Sequence, residues 1–342
     1  MKKHIIQILV IVVLVGLIVA AQVAPYGTSR LFDMLKIGKQ ATIRELRDFN
    51  VEDTAAVDRI FMVDKENNIV DLTESDDGRW YVNDKYLAKE HSINLLLKTL
   101  YRMRIKNPVA KSAEENIVKS LATKSVKVEV YDDDDILKTF YIGGVTQNQL
   151  GTYALLEGSS RPFVIEIPGF RGYLSSRFNT TPVLWRSTRI FVYDESEIDY
   201  IDVEVGDKPG ESFEVDVKGL NDYKLLGPDD RPAKVYDTLA LRRFVKEFKH
   251  KFHTRFITGK KQNQVDSVYN SPLFYRFNVQ LNNGNNIELS LHRTHEIEKI
   301  KEGDMFKVDH LHGIINQNTW VLVQTHIFGT MFKELSDFKP QF

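Results

Sequence analysis

The chain has 342 residues, a formal net charge of -1, 42% hydrophobic and 27% charged residues, and no cysteine. That length accommodates a membrane anchor and two domains of roughly 150 residues each. A balanced charge argues against a chain built around nucleic acid, which leaves a basic excess. The lack of cysteine excludes disulfides, thiol nucleophiles, cysteine zinc sites and lipid attachment through a thiol.

Residues 5–24 (IIQILVIVVLVGLIVAAQVA) are apolar apart from Gln7 and Gln22. As a helix this run of ~20 residues is about 30 Å long, the thickness of a bilayer core. The alternative is a cleaved signal peptide with small residues at 19–21. The run exceeds the ~7 to 15 apolar residues of a signal core, so an uncleaved transmembrane helix is the expectation. Lys2 and Lys3 put residues 1–4 in the cytoplasm, which makes a single-pass protein of the inner (cytoplasmic) membrane with its bulk extracytoplasmic. Membrane lipid is then one partner. Residues 25–50 form a juxtamembrane segment with apolar positions at Leu31, Met34, Leu35, Ile43 and Leu46.

A first α+β module is expected over 51–190. Residues 60–63, 68–73 and 79–82 alternate like short strands. A helix at 89–104 buries Ile93, Leu96, Leu97, Leu100 and Met103 at helical spacing, and Pro108 marks its end. Ser112 and Glu115 have capping-box spacing for a second helix. Strands follow at 126–130, 140–142, 152–156 and 163–167, and residues 170–178 predict a short helix packed through Tyr173 and Leu174.

A second module over 191–342 repeats this order. Strands are expected at 201–205, 212–217 and 223–226, and a helix at 237–252 with Leu241, Phe244, Val245 and Phe248 as its buried stripe. Strands at 275–281 and 287–291 flank an Asn-Asn-Gly-Asn turn suited to positive φ. Further strands are expected at 306–308 and 320–323, with 327–332 as the counterpart of 169–174. The fold class is therefore α+β: an N-terminal transmembrane helix followed by two similar modules of antiparallel strands with packed helices.

No catalytic motif stands out, so no enzyme activity, catalytic residue or cofactor is assigned. His292, His295, His310 and His312 are competent metal ligands by type, but their spacing matches no established site. Residues 132–135 are four aspartates between strands, without the alternating ligands and glycine of a calcium loop; they read as a solvated hairpin tip. Residues 241–261 interleave aromatics with Arg and Lys, which suits a partner or self-assembly face or a helix with a solvated basic side. The candidate interaction surface is Gly151, Tyr153, Arg171 and Tyr173 with Arg242, Arg243, Lys246 and Lys249.

Several segments resemble one family. They are FNVEDT at 49–54, WYVN at 80–83, YIGG at 141–144, GTY at 151–153, PFVIEIPGFRGYL at 162–174 and Trp185-Arg186. Together they resemble the domain of unknown function 4340 family in its Bacteroidetes form, most clearly over 53–190. The resemblance implies an envelope protein anchored by one helix that accompanies ABC-type export systems or gliding-associated complexes. The family brings no catalytic residues with it. The expectation is a protein-binding or accessory role with other envelope or transporter subunits, helped by sheet edges open to strand addition. A ligand-binding or metal-dependent hydrolytic domain acting on envelope lipid or polymer is the alternative.

Overall fold

The computed structural model describes residues 48–228, 231–293 and 309–340. The expected anchor at 5–24, nearly all of the juxtamembrane segment, the strand at 306–308 and His295 lie outside the described residues. Among the described residues, no helix is long and apolar enough to cross a membrane. The protein is a mixture of helix and sheet with two large antiparallel sheets, in two compact units. Among the described residues, unit 1 comprises 48–85 and 91–182, and unit 2 comprises 86–90 and the residues from 183 onward.

In unit 1, β1 (Arg59–Val63) and β2 (Ile69–Glu74) pair antiparallel with Ile60 opposite Leu72 and Met62 opposite Val70. All four side chains are fully buried. The period-2 alternation seen in the sequence puts them on one face, and each buried aliphatic side chain contributes about 1.5–3 kcal/mol. β3 (Trp80–Val82) leads to α1 (Glu90–Arg102), which buries Ile93, Leu96, Thr99 and Leu100. The remaining strands are β4 (Arg104–Pro108), β5 (Val126–Asp132), β6 (Asp135–Val145), β7 (Thr152–Leu156) and β8 (Phe163–Glu166), with α2 (Lys111–Lys124) between β4 and β5. Their order across the sheet is β3-β2-β1-β5-β6-β7-β8-β4. Helix α2 lies on β6 so closely that a Cβ on Gly143 would sit 2.5 Å from Leu121 Cδ2.

Unit 2 contains β9 (Ile198–Val205), β10 (Phe213–Gly219), β11 (Asp222–Gly227), α3 (Thr238–Lys246), β12 (Arg255–Phe256) and α4 (Gln262–Tyr269). It closes with β13 (Leu273–Leu281), β14 (Asn286–His292), β15 (His310–Ile315) and β16 (Thr319–Gln324). The sheet order is β11-β10-β9-β13-β14-β15-β16-β12. Counted within its own unit, each sheet reads 3-2-1-5-6-7-8-4. The β13–β14 turn places Gly284 at φ 84°. Asp237 caps α3 by accepting hydrogen bonds from the Leu239 and Ala240 amides at 2.9 and 3.0 Å. The core is a net of edge-on phenylalanines: Phe244 lies 5.3 Å from Phe213, 5.4 Å from Phe248 and 5.8 Å from Phe338.

Three local expectations need correction. The capping box at Ser112 does not form: α2 begins at Lys111 after an extended Ala110 with no side-chain cap, so Ser112 is already inside the first turn. The helix expected at 170–178 reduces to the single 3-10 turn Ser175–Arg177, because Gly169 (φ 81°) and Gly172 (φ 150°) lie in conformations no helix contains. Tyr173 is accordingly exposed, whereas Leu174 and Phe178 are buried. The helix expected to reach 252 ends as α3 at Lys246 and a 3-10 turn at 247–249; Lys251–Phe252 instead pairs with Arg189–Phe191.

Candidate interaction surface

The segment after β8 is fixed at both ends. The Phe170 amide donates to the Ile167 carbonyl at 2.9 Å, and the Leu174 amide donates to Thr152 Oγ1 at 2.7 Å. Between these points the two positive-φ glycines force the chain outward. A Cβ on Gly172 would lie 3.0 Å from the Phe170 ring, so the glycine also makes room for that side chain. The result is an exposed arch carrying Phe170 (42% exposed), Arg171 and Tyr173 (39% exposed). The guanidinium of Arg177 sits 4.7 Å from the Phe170 ring centre and donates to Thr99 Oγ1 at 2.8 Å. Burial lowers the pKa of Arg177, and the charge of Arg102 lowers it further. Tyr101, on the last turn of α1 with Thr99 and Arg102, is 51% exposed. Aromatic and arginine side chains dominate protein contacts because they offer large area with few rotors and a fixed fork of donors.

The other predicted surface residues fall in different places. Gly151 is buried, and a Cβ there would lie 2.5 Å from Val164 Cγ1; its role in the fold is close approach of β7 to β8. Tyr153 lies in β7, half-buried and paired with Val164. In unit 2, Arg243, Lys246 and Lys249 are exposed, while Arg242 is half-buried with Nε unpartnered. Lys249 pairs with Asp194. Leu241, Phe244, Val245 and Phe248 form the core stripe.

The histidines separate. His292 is fully buried at the end of β14 and faces His312 across the β14–β15 ladder. Its Nε2 lies 3.0 Å from Ser290 Oγ and its Nδ1 lies 3.2 Å from both Ser271 Oγ and the Ser271 carbonyl. Burial lowers its pKa, which favours a neutral ring satisfied inside the protein. His312 packs edge-on against Trp320 at 5.1 Å, and His310 is half-buried. Among the described residues no group of three or more metal-ligating side chains converges. Asp133 takes φ 51° at a two-residue turn between β5 and β6, and its amide donates to Asp58 Oδ2 at 2.9 Å.

Two open clefts lie in unit 1. One of ≈ 440 Å³ is lined by Lys65, Leu121, Tyr141 and Glu157 among others, and one of ≈ 460 Å³ by Asp48, Glu52, Asp132 and Lys138 among others. In the first, a hydrogen bond with Glu157 raises the pKa of Tyr141, and Lys65 lies 5.7 Å from the centre of the same ring. Sequence reasoning missed Phe170 and Arg177 as surface members. The signal for Phe170 was the Gly-Phe-Arg-Gly run, whose glycines a helix would not keep; Arg177, beyond that run, had no such signal.

A family model described as Domain of unknown function (DUF4340) matches residues 80–251, from β3 into the strand Lys251–Phe252. This span is just over half of the chain and continues past the first module into β9–β11 and α3. No curated protein and no solved structure matches the chain.

Proposed function

The chain belongs to the domain of unknown function 4340 family, and on that premise we propose that it is a non-enzymatic accessory protein that binds other proteins at the cell envelope. In this reading the apolar run at 5–24 is a single transmembrane helix in the inner membrane, the N-terminus is cytoplasmic, and two α+β modules arisen by internal duplication stand outside. The identical strand order of the two sheets supports the duplication. The partners are membrane subunits of an ABC-type export or gliding-associated complex, a context that the family resemblance supplies.

One observation carries the binding role: an exposed arch of Phe170, Arg171 and Tyr173 that Gly169 and Gly172 permit at positive φ and that the Phe170–Ile167 and Leu174–Thr152 hydrogen bonds fix at its two ends. An ordered aromatic loop loses little entropy on docking, which is what a binding surface requires. Strand addition fits less well than side-chain docking. The edge strand β4 ends at Pro108 and carries Lys106 in an ion pair with Glu166 at 2.7 Å, and β12 has two residues; prolines, lysines and shortness all blunt a sheet edge.

A photo-crosslinking amino acid at Tyr173 of the full-length protein, expressed in its own cells, tests this. The expected result is an adduct with an export-system membrane subunit that disappears with Phe170→Asp. Membrane-located, folded protein that yields no adduct with any other membrane protein would overturn it.

A further inference from the structure

Unit 2 contains a second arginine–aromatic arrangement, and it differs from the first in setting two rings against the guanidinium beside a buried histidine. Residues 86–89 run antiparallel to 185–187: Ala88 bridges Arg186, the Lys89 amide donates to the Trp185 carbonyl at 2.7 Å, and the Ser187 amide donates to the Leu87 carbonyl at 2.7 Å. On the other side of this strand, the His253 amide donates to the Thr188 carbonyl at 2.9 Å. These pairings gather Tyr86, Lys89, Arg186, His253 and Phe256.

The guanidinium of Arg186 lies 3.7 Å from the centre of the Tyr86 ring and 4.0 Å from that of Phe256. Two rings at that distance fix the guanidinium, while its N–H donors project from its edge. Among the described residues no carboxylate pairs with it. Glu90, next to Lys89 in the chain, is paired with Arg189 at 3.5 Å. His253 packs edge-on against the same Phe256 ring at 4.2 Å, is only 4% exposed, and its Nδ1 has no hydrogen-bond partner. Lys89 and Arg186 both lie within electrostatic reach of it. Lys251, two residues earlier, shows how this unit satisfies a buried cation: its Nζ meets Glu247 Oε2 at 2.6 Å, the Ile327 carbonyl at 3.0 Å and Thr330 Oγ1 at 3.2 Å. Arg186 and His253 lack an equivalent set.

We propose that Arg186, Lys89 and His253 form a binding site for an oxyanion of the phosphate class. Arg186 supplies a bidentate fork, Lys89 a second positive charge, and His253, with the proton on Nδ1, donates a hydrogen bond from within. Two cations without a carboxylate match a dianion better than a monoanion, and fork geometry matches two oxygens on one phosphorus. The oxyanion is either free phosphate or a phosphate carried by a lipid headgroup. This site shares no residue with the Phe170 arch, so either reading can fail alone.

The test is titration of full-length protein, carrying ¹⁵N-labelled histidine, with inorganic phosphate at constant ionic strength set by chloride. Saturable shifts of the His253 ring nitrogens are expected, with a rise in its pKa. Arg186→Lys, which keeps the charge but loses the fork, should weaken binding about tenfold, and Arg186→Gln should abolish it. Vesicles containing phosphatidic acid, compared with phosphatidylcholine alone, distinguish a headgroup from free phosphate. Absence of a saturable His253 shift with both probes, or equal shifts in Arg186→Gln with its thermal unfolding unchanged, would overturn the site.

Discussion

Buried His253 makes a stability prediction with a definite sign. Burial lowers its pKa from 6.5 to about 4, and the charges of Lys89 and Arg186 act in the same direction, against a hydrogen bond to the Arg255 backbone. The folded state therefore keeps the ring neutral between pH 6.5 and about 4, while the unfolded chain takes up a proton. Stability contributed by this group is complete above pH 6.5, falls as pH drops towards 4, and is constant below. At 1.36 kcal/mol per pH unit, the loss over about 2.5 units is at most about 3 kcal/mol. Asp202 opposes it: burial first, then Glu214 and Glu204, raise its carboxyl to about 6. That group stabilises the fold while protonated and loses its contribution as pH rises from about 4 to 6. The wild-type profile mixes the two, so the informative quantity is the difference from His253→Leu. Nδ1 lacks a partner and only the hydrogen bond to the Arg255 backbone is lost, so the leucine variant should lie within about 2 kcal/mol of wild type at pH 8. Towards pH 4 it should gain up to about 3 kcal/mol on wild type. Urea unfolding in phosphate-free buffer, followed by tryptophan fluorescence, measures this, since Trp185 and Trp320 lie in the same unit as His253. Parallel profiles for the two proteins from pH 8 to 4 would refute the buried-neutral assignment.

Two packing predictions follow from unit 2. A Cβ at Gly206 would lie 2.0 Å from the Leu273 carbonyl oxygen, a backbone atom that cannot swing aside, whereas Gly210 has nothing within 4 Å. Gly206→Ala should cost at least about 2 kcal/mol in urea unfolding and Gly210→Ala less than about 0.5 kcal/mol. Phe244 contacts three buried rings, so Phe244→Ala should cost about 3–5 kcal/mol; Phe244→Leu, which retains most of the volume, should cost under half of that, and equal costs would show that the ring net is not what matters.

The elements legible in the sequence are those whose own side chains encode them. Strands β1, β2, β9 and β10 alternate apolar and polar residues, α1 and α3 carry apolar residues at threes and fours, and the Asn-rich β13–β14 turn announces its positive φ. Elements defined by a distant partner were not legible. β4 (RIKNP) and β12 are strands only because β8 and β16 offer a free edge, and α4 (QNQVDSVY) is mostly polar with Val265 its one buried residue. β15 was missed because His310, His312 and Gly313 obscure its alternation. The same division holds for the sites. Phe170, Arg171 and Tyr173 are consecutive or nearly so, and two of these three were marked from sequence. Arg186, Lys89 and His253 are joined by backbone pairing across roughly 100 and 65 residues, and no local pattern connects them.

The shared strand order of the two sheets bears on where function resides. If a scaffold is used twice, features common to both copies serve the scaffold, and features confined to one are free to specialise. Both units place an arginine against aromatic rings without a carboxylate, yet the surroundings differ. Arg177 has one ring and one hydroxyl acceptor beside exposed aromatics, a setting for a protein partner. Arg186 has two rings and, nearby, a buried imidazole whose Nδ1 has no partner, a setting for a small anion. Neither arginine contributes to its sheet's hydrophobic core, and each is held by segments outside the long strands. Substituting either should therefore remove a binding activity while leaving the fold that presents it.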